Sequence, residues 1–214
     1  DRPLELRGLL ADSSDSLPSI AGLVLDDTNQ GSTHSAHVIM ERLHFTGPVT
    51  NQFHLDPYSG ELTLVFSSCI LDSGLTDEPE TAGGQLFWSI GSCTITGNVH
   101  IAKPFGFVLD QDVIHGSVFL RANEPNSSIT RSRVEGSGPV GLDVASNERL
   151  SVSGNFIRGF DTGLRVSSRY SDPQVVDNVV EDCPVEGISV SGGENAAASG
   201  NVVRSCGSGI VVSV

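Results

Sequence analysis

At 214 residues, 38% of them hydrophobic, the chain carries enough apolar material to bury a core and lacks the composition of a disordered segment. Its formal net charge of −14, with Lys103 as the only lysine, sets an anionic surface against phosphate backbones and excludes nucleic acid as the expected partner. No apolar run approaches the ~20 residues of a membrane span.

Read in chain order, Leu4-Glu5-Leu6-Arg7, Leu23-Val24-Leu25 and Met40-Glu41-Arg42-Leu43-His44-Phe45 are short strand-like segments whose register is blurred, so residues 1–60 are assigned only as first turns of whatever follows. From Ser68 a regular column emerges. Ser68, Ser92, Asp112, Ser132, Asn155, Asn178 and Asn201 each precede a short β-branched run, and the last four are spaced by 23 residues. A second column follows: Val118, Leu142, Leu164, Ile188 and Ile210, with Leu120, Val144, Val166, Val190 and Val212 two residues on. Alternation across a strand sends both sets inward and leaves Phe119, Asp143, Arg165, Ser189 and Val211 outward. A period in the low twenties built from short strands is the signature of a solenoid, in which no turn can bury its apolar face without its neighbours. The expected fold is therefore all-β, a parallel coil of seven to nine rungs of ~20–24 residues filling 1–214 as a single domain, clear over 61–214. Asn155, Asn178 and Asn201 are expected to form a structural asparagine ladder at an inward corner. The run Gly209-Ile210-Val211-Val212-Ser213-Val214 ends in mid-strand with no capping element, which predicts a longer parent chain or end-to-end stacking of subunits.

The Asn-Val-Val-Glu and Gly-Ile-Ser-Val repeats resemble the right-handed parallel β-helix, or pectate-lyase-like, superfamily. The resemblance covers about residues 60–214 well. It implies the fold; activity it leaves open, because the superfamily holds polysaccharide lyases, hydrolases and epimerases beside adhesins and non-catalytic scaffolds.

Asp110, Asp112 and His115 contain the residue types for cation binding or acid/base work. Yet Asp112 falls in the corner column, and His115 heads a column continued by Glu135, Arg158, Glu181 and Arg204, whose alternating signs read as a register device on a solvated face. The Arg-x-Lys segment of the fold's hydrolases is missing, and no Asp-Asp pair stands at the matching rung. Lyases of the fold take a proton beside a uronate carboxylate with a basic residue; Lys103 and Arg121 on adjacent turns, with His100 beside them, form the patch nearest to that requirement. No cofactor is called for, with Ca²⁺ left open. Cys69 with Cys93, and Cys183 with Cys206, stack on adjacent turns and lack metal-ligand spacing; a disulfide in either pair stays open. Asn126-Ser127-Ser128 reads as a glycosylation acceptor. The function that best unites these features is an extracellular or cell-surface scaffold that presents Phe119, Asp143 and Arg165 on a rigid lateral face to a glycan or a protein partner. The alternative is a polysaccharide lyase or epimerase acting on an acidic glycan through Lys103, Arg121 and His100.

Overall fold

The computed structural model describes residues 4–7, 17, 19–26, 36–52, 61–77, 85–102, 104–122, 127–146, 149–170, 172–192 and 196–213. Three strands recur per turn, and each joins its counterparts in the turns before and after, giving three parallel sheets of 9 strands. The first sheet includes Gln85–Gly91, Gly106–Asp110, Ser127–Thr130, Leu150–Ser153 and Gln174–Val176; the second includes Val113–His115, Arg133–Glu135, Phe156–Arg158 and Val179–Glu181; the third includes Val99–Ala102, Val118–Ala122, Val140–Ser146, Thr162–Ser168 and Glu186–Ser191. All described pairings are parallel, and no helix occurs among the described residues.

The interior is a set of stacked columns. In the third sheet Val118 pairs with Leu142, Leu142 with Leu164 and Leu164 with Ile188, all fully buried. The early turns fill the same space with aromatics: Phe45 meets Phe66 edge-on at 6.0 Å, and Phe66 stacks on Trp88 at 5.9 Å. The glycine that opens the third-sheet repeat is explained by crowding. A Cβ on Gly163 would fall on Val180, and one on Gly187 on Val203, so only glycine lets the corner close over the next turn.

The corner between the first and second sheets carries the coil. At each turn one residue adopts a left-handed conformation (Arg42, Ser68, Ser92, Gln111, Arg131, Gly154, Asp177 and Gly200), and the next residue turns its side chain inward. This corrects the early part of the predicted column: Ser92 and Ser68 are the exposed left-handed residues, and Cys93 and Cys69 occupy the buried corner behind them. The corner side chains form one chain of acceptors. The backbone N–H of Cys69 donates to Cys93 Sγ (3.4 Å), that of Cys93 to Asp112 Oδ1 (2.8 Å), that of Asp112 to Ser132 Oγ (3.2 Å), and that of Ser132 to Asn155 Oδ1 (2.9 Å). Asn155 N–H then donates to Asn178 Oδ1 (3.0 Å), and Asn178 N–H to Asn201 Oδ1 (2.9 Å). Each asparagine adds a second bond: the Nδ2 of Asn155, Asn178 and Asn201 reaches the carbonyl of Ile129, Val152 and Val175 in the preceding turn.

Asp112 holds the same slot with a carboxyl group. Its Oδ1 accepts from Cys93, but Oδ2, where the asparagines place a donor, has no hydrogen-bond partner, and the residue is 1% exposed. The equivalent carbonyl belongs to Ile90, and only a protonated carboxyl can donate to it. Burial pushes the Asp112 value up to about 7. Asp77, fully buried on the third sheet, accepts from Asn51 Nδ2 at 2.8 Å and is pushed up to about 6, again by burial.

Two predictions follow from this packing. Ile188→Ala should cost ~2–5 kcal/mol in chemical denaturation, because it opens a cavity in a closed column, whereas Ser189→Lys, half-exposed one residue along, should stay within ~0.5 kcal/mol. The reverse ranking would refute the strand phase. For Asp112, the folded state keeps a proton that the unfolded chain releases at an ordinary value of 3.8, so its share of stability is full below about pH 4, falls as pH rises, and is lost above about pH 7. Asp112→Asn should donate without titrating. It should raise the melting temperature at pH 8 by ~2–4 °C, the effect of one restored hydrogen bond of ~1 kcal/mol, and should abolish the decline between pH 6 and 7, leaving the lower part that belongs to Asp77.

Candidate functional site

The outer face of the third sheet gathers the outward residues singled out in the sequence. Strand register places His100, Phe119, Asp143, Arg165 and Ser189 in one column, each on its own turn. Arg121 stands two residues along from Phe119 on the same side. Lys103 lies outside the described residues, so the patch is built without it.

These side chains engage one another. The His100 ring stacks on Phe119 at 4.5 Å and 11°, and the Arg121 guanidinium carbon lies 4.2 Å from the centre of the Phe119 ring. Two groups this close to one ring need one face each, so Phe119 is sandwiched and presents only its edge. Arg121 also bonds Asp143 Oδ2 (2.9 Å) and the carbonyls of Leu120 (3.1 Å) and Asp143 (3.2 Å). Arg165 approaches the same Asp143 oxygen at 3.7 Å while about half of its side chain, 47%, stays exposed. One carboxylate thus serves two guanidinium groups and the set carries a net positive charge, on a chain whose total is −14.

Chemically, this arrangement favours recognition of an anion over proton transfer. A guanidinium stays protonated at any physiological pH, and Arg121 is held in a fixed pose by four contacts, with its charge already shared with Asp143. Arg165 is the arm with unspent donors. Among the described residues no group of three or more His, Cys, Asp or Glu is placed to hold a metal ion.

The other candidates from the sequence are dispersed. Asp112 is sealed in the corner, Asp110 faces out from the first sheet, and His115 faces out from the second, so the three do not converge on one site. Arg131 and Thr130 hold the Asp110 carboxylate below its usual range. On the second sheet His115, Glu135, Arg158, Glu181 and Arg204 do share one column. Only Arg204 and Glu181 bond along it, at 3.1 Å; Glu135 pairs with Arg133 two residues back on its own strand, and Arg158 with Asp182. All four cysteines are free thiols. Asn126 lies outside the described residues, and the two serines after it open a first-sheet strand.

Sequence reasoning did not find a recess on the outer face of the first sheet, lined by Ser128, Ser151 and Gln174, with a volume near 460 Å³. Its one signal is a column of small polar residues following Val108, which reads equally well as a plain solvated face.

The coupling between Arg121 and Asp143 can be measured directly. A double-mutant cycle on Arg121→Ala and Asp143→Ala should return ~0.5–1 kcal/mol of favourable interaction, shrinking at high salt, since both groups are partly exposed. An interaction energy of zero would mean that the cluster is not preorganised.

A protein-family model described as a right-handed beta helix region matches residues 82–213, more than half of the chain. No curated protein and no solved structure gives a match.

Proposed function

We propose a binding rather than a catalytic role for this chain, which belongs to the right-handed β-helix family. The third-sheet face acts as a rigid strip that receives an acidic glycan, with the sugar carboxylate meeting Arg165. The observation that carries this reading is the sharing of Asp143 by Arg121 and Arg165, which leaves a fixed positive surplus on a flat, stacked surface. Preorganisation supports it: strands locked by neighbours on both sides lose little freedom when a ligand docks. Because both faces of Phe119 are covered, its part is to hold Arg121 in place, with sugar stacking left to other surfaces. An acidic module of this kind suits the outside of a cell or its surface, where glycans are met. No described helix is long and apolar enough to cross a membrane.

Binding of a uronate polymer and of an uncharged glucan, compared by calorimetry at low and high salt, tests the reading. The uronate polymer should bind in preference, and Arg165→Ala should weaken it about tenfold, the effect of losing one charge-assisted contact of ~1.4 kcal/mol. Equal binding of both polymers, or selective binding of an acidic protein, would refute it. Turnover of the uronate polymer to unsaturated products, abolished by Lys103→Ala with Arg121→Ala, would replace it with a polysaccharide lyase or epimerase.

A further inference from the structure

The outer face of the second sheet carries a sign pattern that the chain's own contacts do not use up. Its strands Arg133–Glu135, Phe156–Arg158, Val179–Glu181 and Val202–Arg204 each turn their first and last side chains outward. The last residues form one column in register, Glu135, Arg158, Glu181 and Arg204, one turn apart. Along it only Glu181 and Arg204 bond to each other, while Glu135 and Arg158 take Arg133 and Asp182 as partners. Beside this column stand Phe156, Val179 and Val202, half-buried to exposed, with Arg133 laid over the Phe156 ring at 4.3 Å.

Two properties of this strip point to the same partner. The first is its charge. With Asp182 counted, three arginines meet three carboxylates, so the strip is neutral on a chain whose total is −14, and an approaching copy meets no local excess of negative charge here. The second is its order. Read backwards, Glu-Arg-Glu-Arg becomes Arg-Glu-Arg-Glu, its own complement. A two-fold axis along the strand direction, halfway between the turns of Arg158 and Glu181, sets the column of one copy against the reversed column of another. Arg158 then faces Glu181 of the second copy, Glu135 faces Arg204, and each contact occurs twice, as an isologous interface requires. The same operation sets Phe156 against Val179 of the second copy, apolar against apolar.

We infer that the second-sheet face is a self-association surface, whose partner is a second copy of this chain with its turns stacked in the opposite order. The arginines are available for this: the side chains of Arg158 and Arg204 are 52% and 67% exposed, so each can keep its own partner and add one across the interface. Four turns at ~4.8 Å and three residues at ~3.3 Å make a strip of only about 200 Å². That is well below the ~800 Å² per partner of a stable complex, so the dimer is weak and reversible. The surface lies on a different sheet from the Arg165 face and does not depend on it.

The test is sedimentation equilibrium of the chain at about 0.1–1 mM, in ~0.15 M salt to damp the overall repulsion. A monomer–dimer equilibrium with no larger species should appear, because a two-fold contact closes on itself. Glu181→Arg turns two opposite-charge contacts into two like-charge ones and should weaken the dimer at least about tenfold, and Arg158→Glu should do the same. An equal mixture of these two variants restores both contacts in a heterodimer and should recover the association. The double variant carrying both changes should recover it too, a result that loss of folding cannot imitate. Should Glu181→Arg fold poorly beside Arg204, the loss in Arg158→Glu and its recovery in the double variant give the same reading. Arg165→Ala should leave the dimer unchanged, which separates this surface from the acidic-glycan face. A monomer throughout the range, an open series of larger species, a dimer that Arg158→Glu leaves intact, or a double variant that stays monomeric would overturn the inference.

Discussion

Each turn of this coil hands a backbone N–H to a side chain of the turn after it, at one corner, from Cys69 through to Asn201. That bond answers the problem created by the left-handed residue before it. The reversal takes the corner amide out of the sheet ladder, and a buried N–H without an acceptor is costly. A side chain with an inward oxygen or sulfur solves it for the turn before, and the asparagine Nδ2 then grips that same turn a second time, at a carbonyl three residues ahead of its corner. The sheets can run straight on either side because this corner never loses a partner.

The outer faces inherit that regularity. In parallel strands in register, outward residues stack at one strand spacing, close enough for rings and guanidinium groups to touch. On the third sheet the result is the His100–Phe119–Arg121 stack closed by Asp143 and Arg165. On the second sheet Arg133 lies over the Phe156 ring at 4.3 Å in a similar arrangement. An arginine laid across an aromatic ring recurs as a way of fixing a long side chain on a flat surface, at ~0.5–1 kcal/mol for an exposed example.

Much of this was legible in the sequence because a solenoid writes the same constraint once per turn. The asparagine corners and the Leu164, Ile188 and Ile210 column give the period, and period-2 alternation gives the inward side. The slip at Ser68 and Ser92 has a simple cause. The left-handed residue and the corner residue are adjacent, both tolerate small polar types, and nothing in Ser-Cys says which of the two turns inward. Charge pairing on the second sheet was legible as a column and illegible as contacts: an arginine is long enough to reach Glu135 along its own strand or Asp182 beyond the strand end, so position fixes neighbours but not partners. The first-sheet recess depends on relief, on serines being lower than what surrounds them, which a one-dimensional pattern does not record.

The Asp112 carboxyl has a consequence for how the molecule holds together as a whole. A coil whose turns touch only their neighbours behaves as a linear array, and its cooperativity is set by its weakest interface. Near and below pH 7 the junction between the Cys93 and Asp112 turns resembles the others; above it, a buried negative charge faces a carbonyl there and nowhere else along the corner ladder. That junction lies near the middle of the array. On one side stand the turns built around Phe45, Phe66 and Trp88, on the other those tied by Asn155, Asn178 and Asn201. A rise in pH is therefore felt first in the interior of the array, at one junction between turns, and not at its ends.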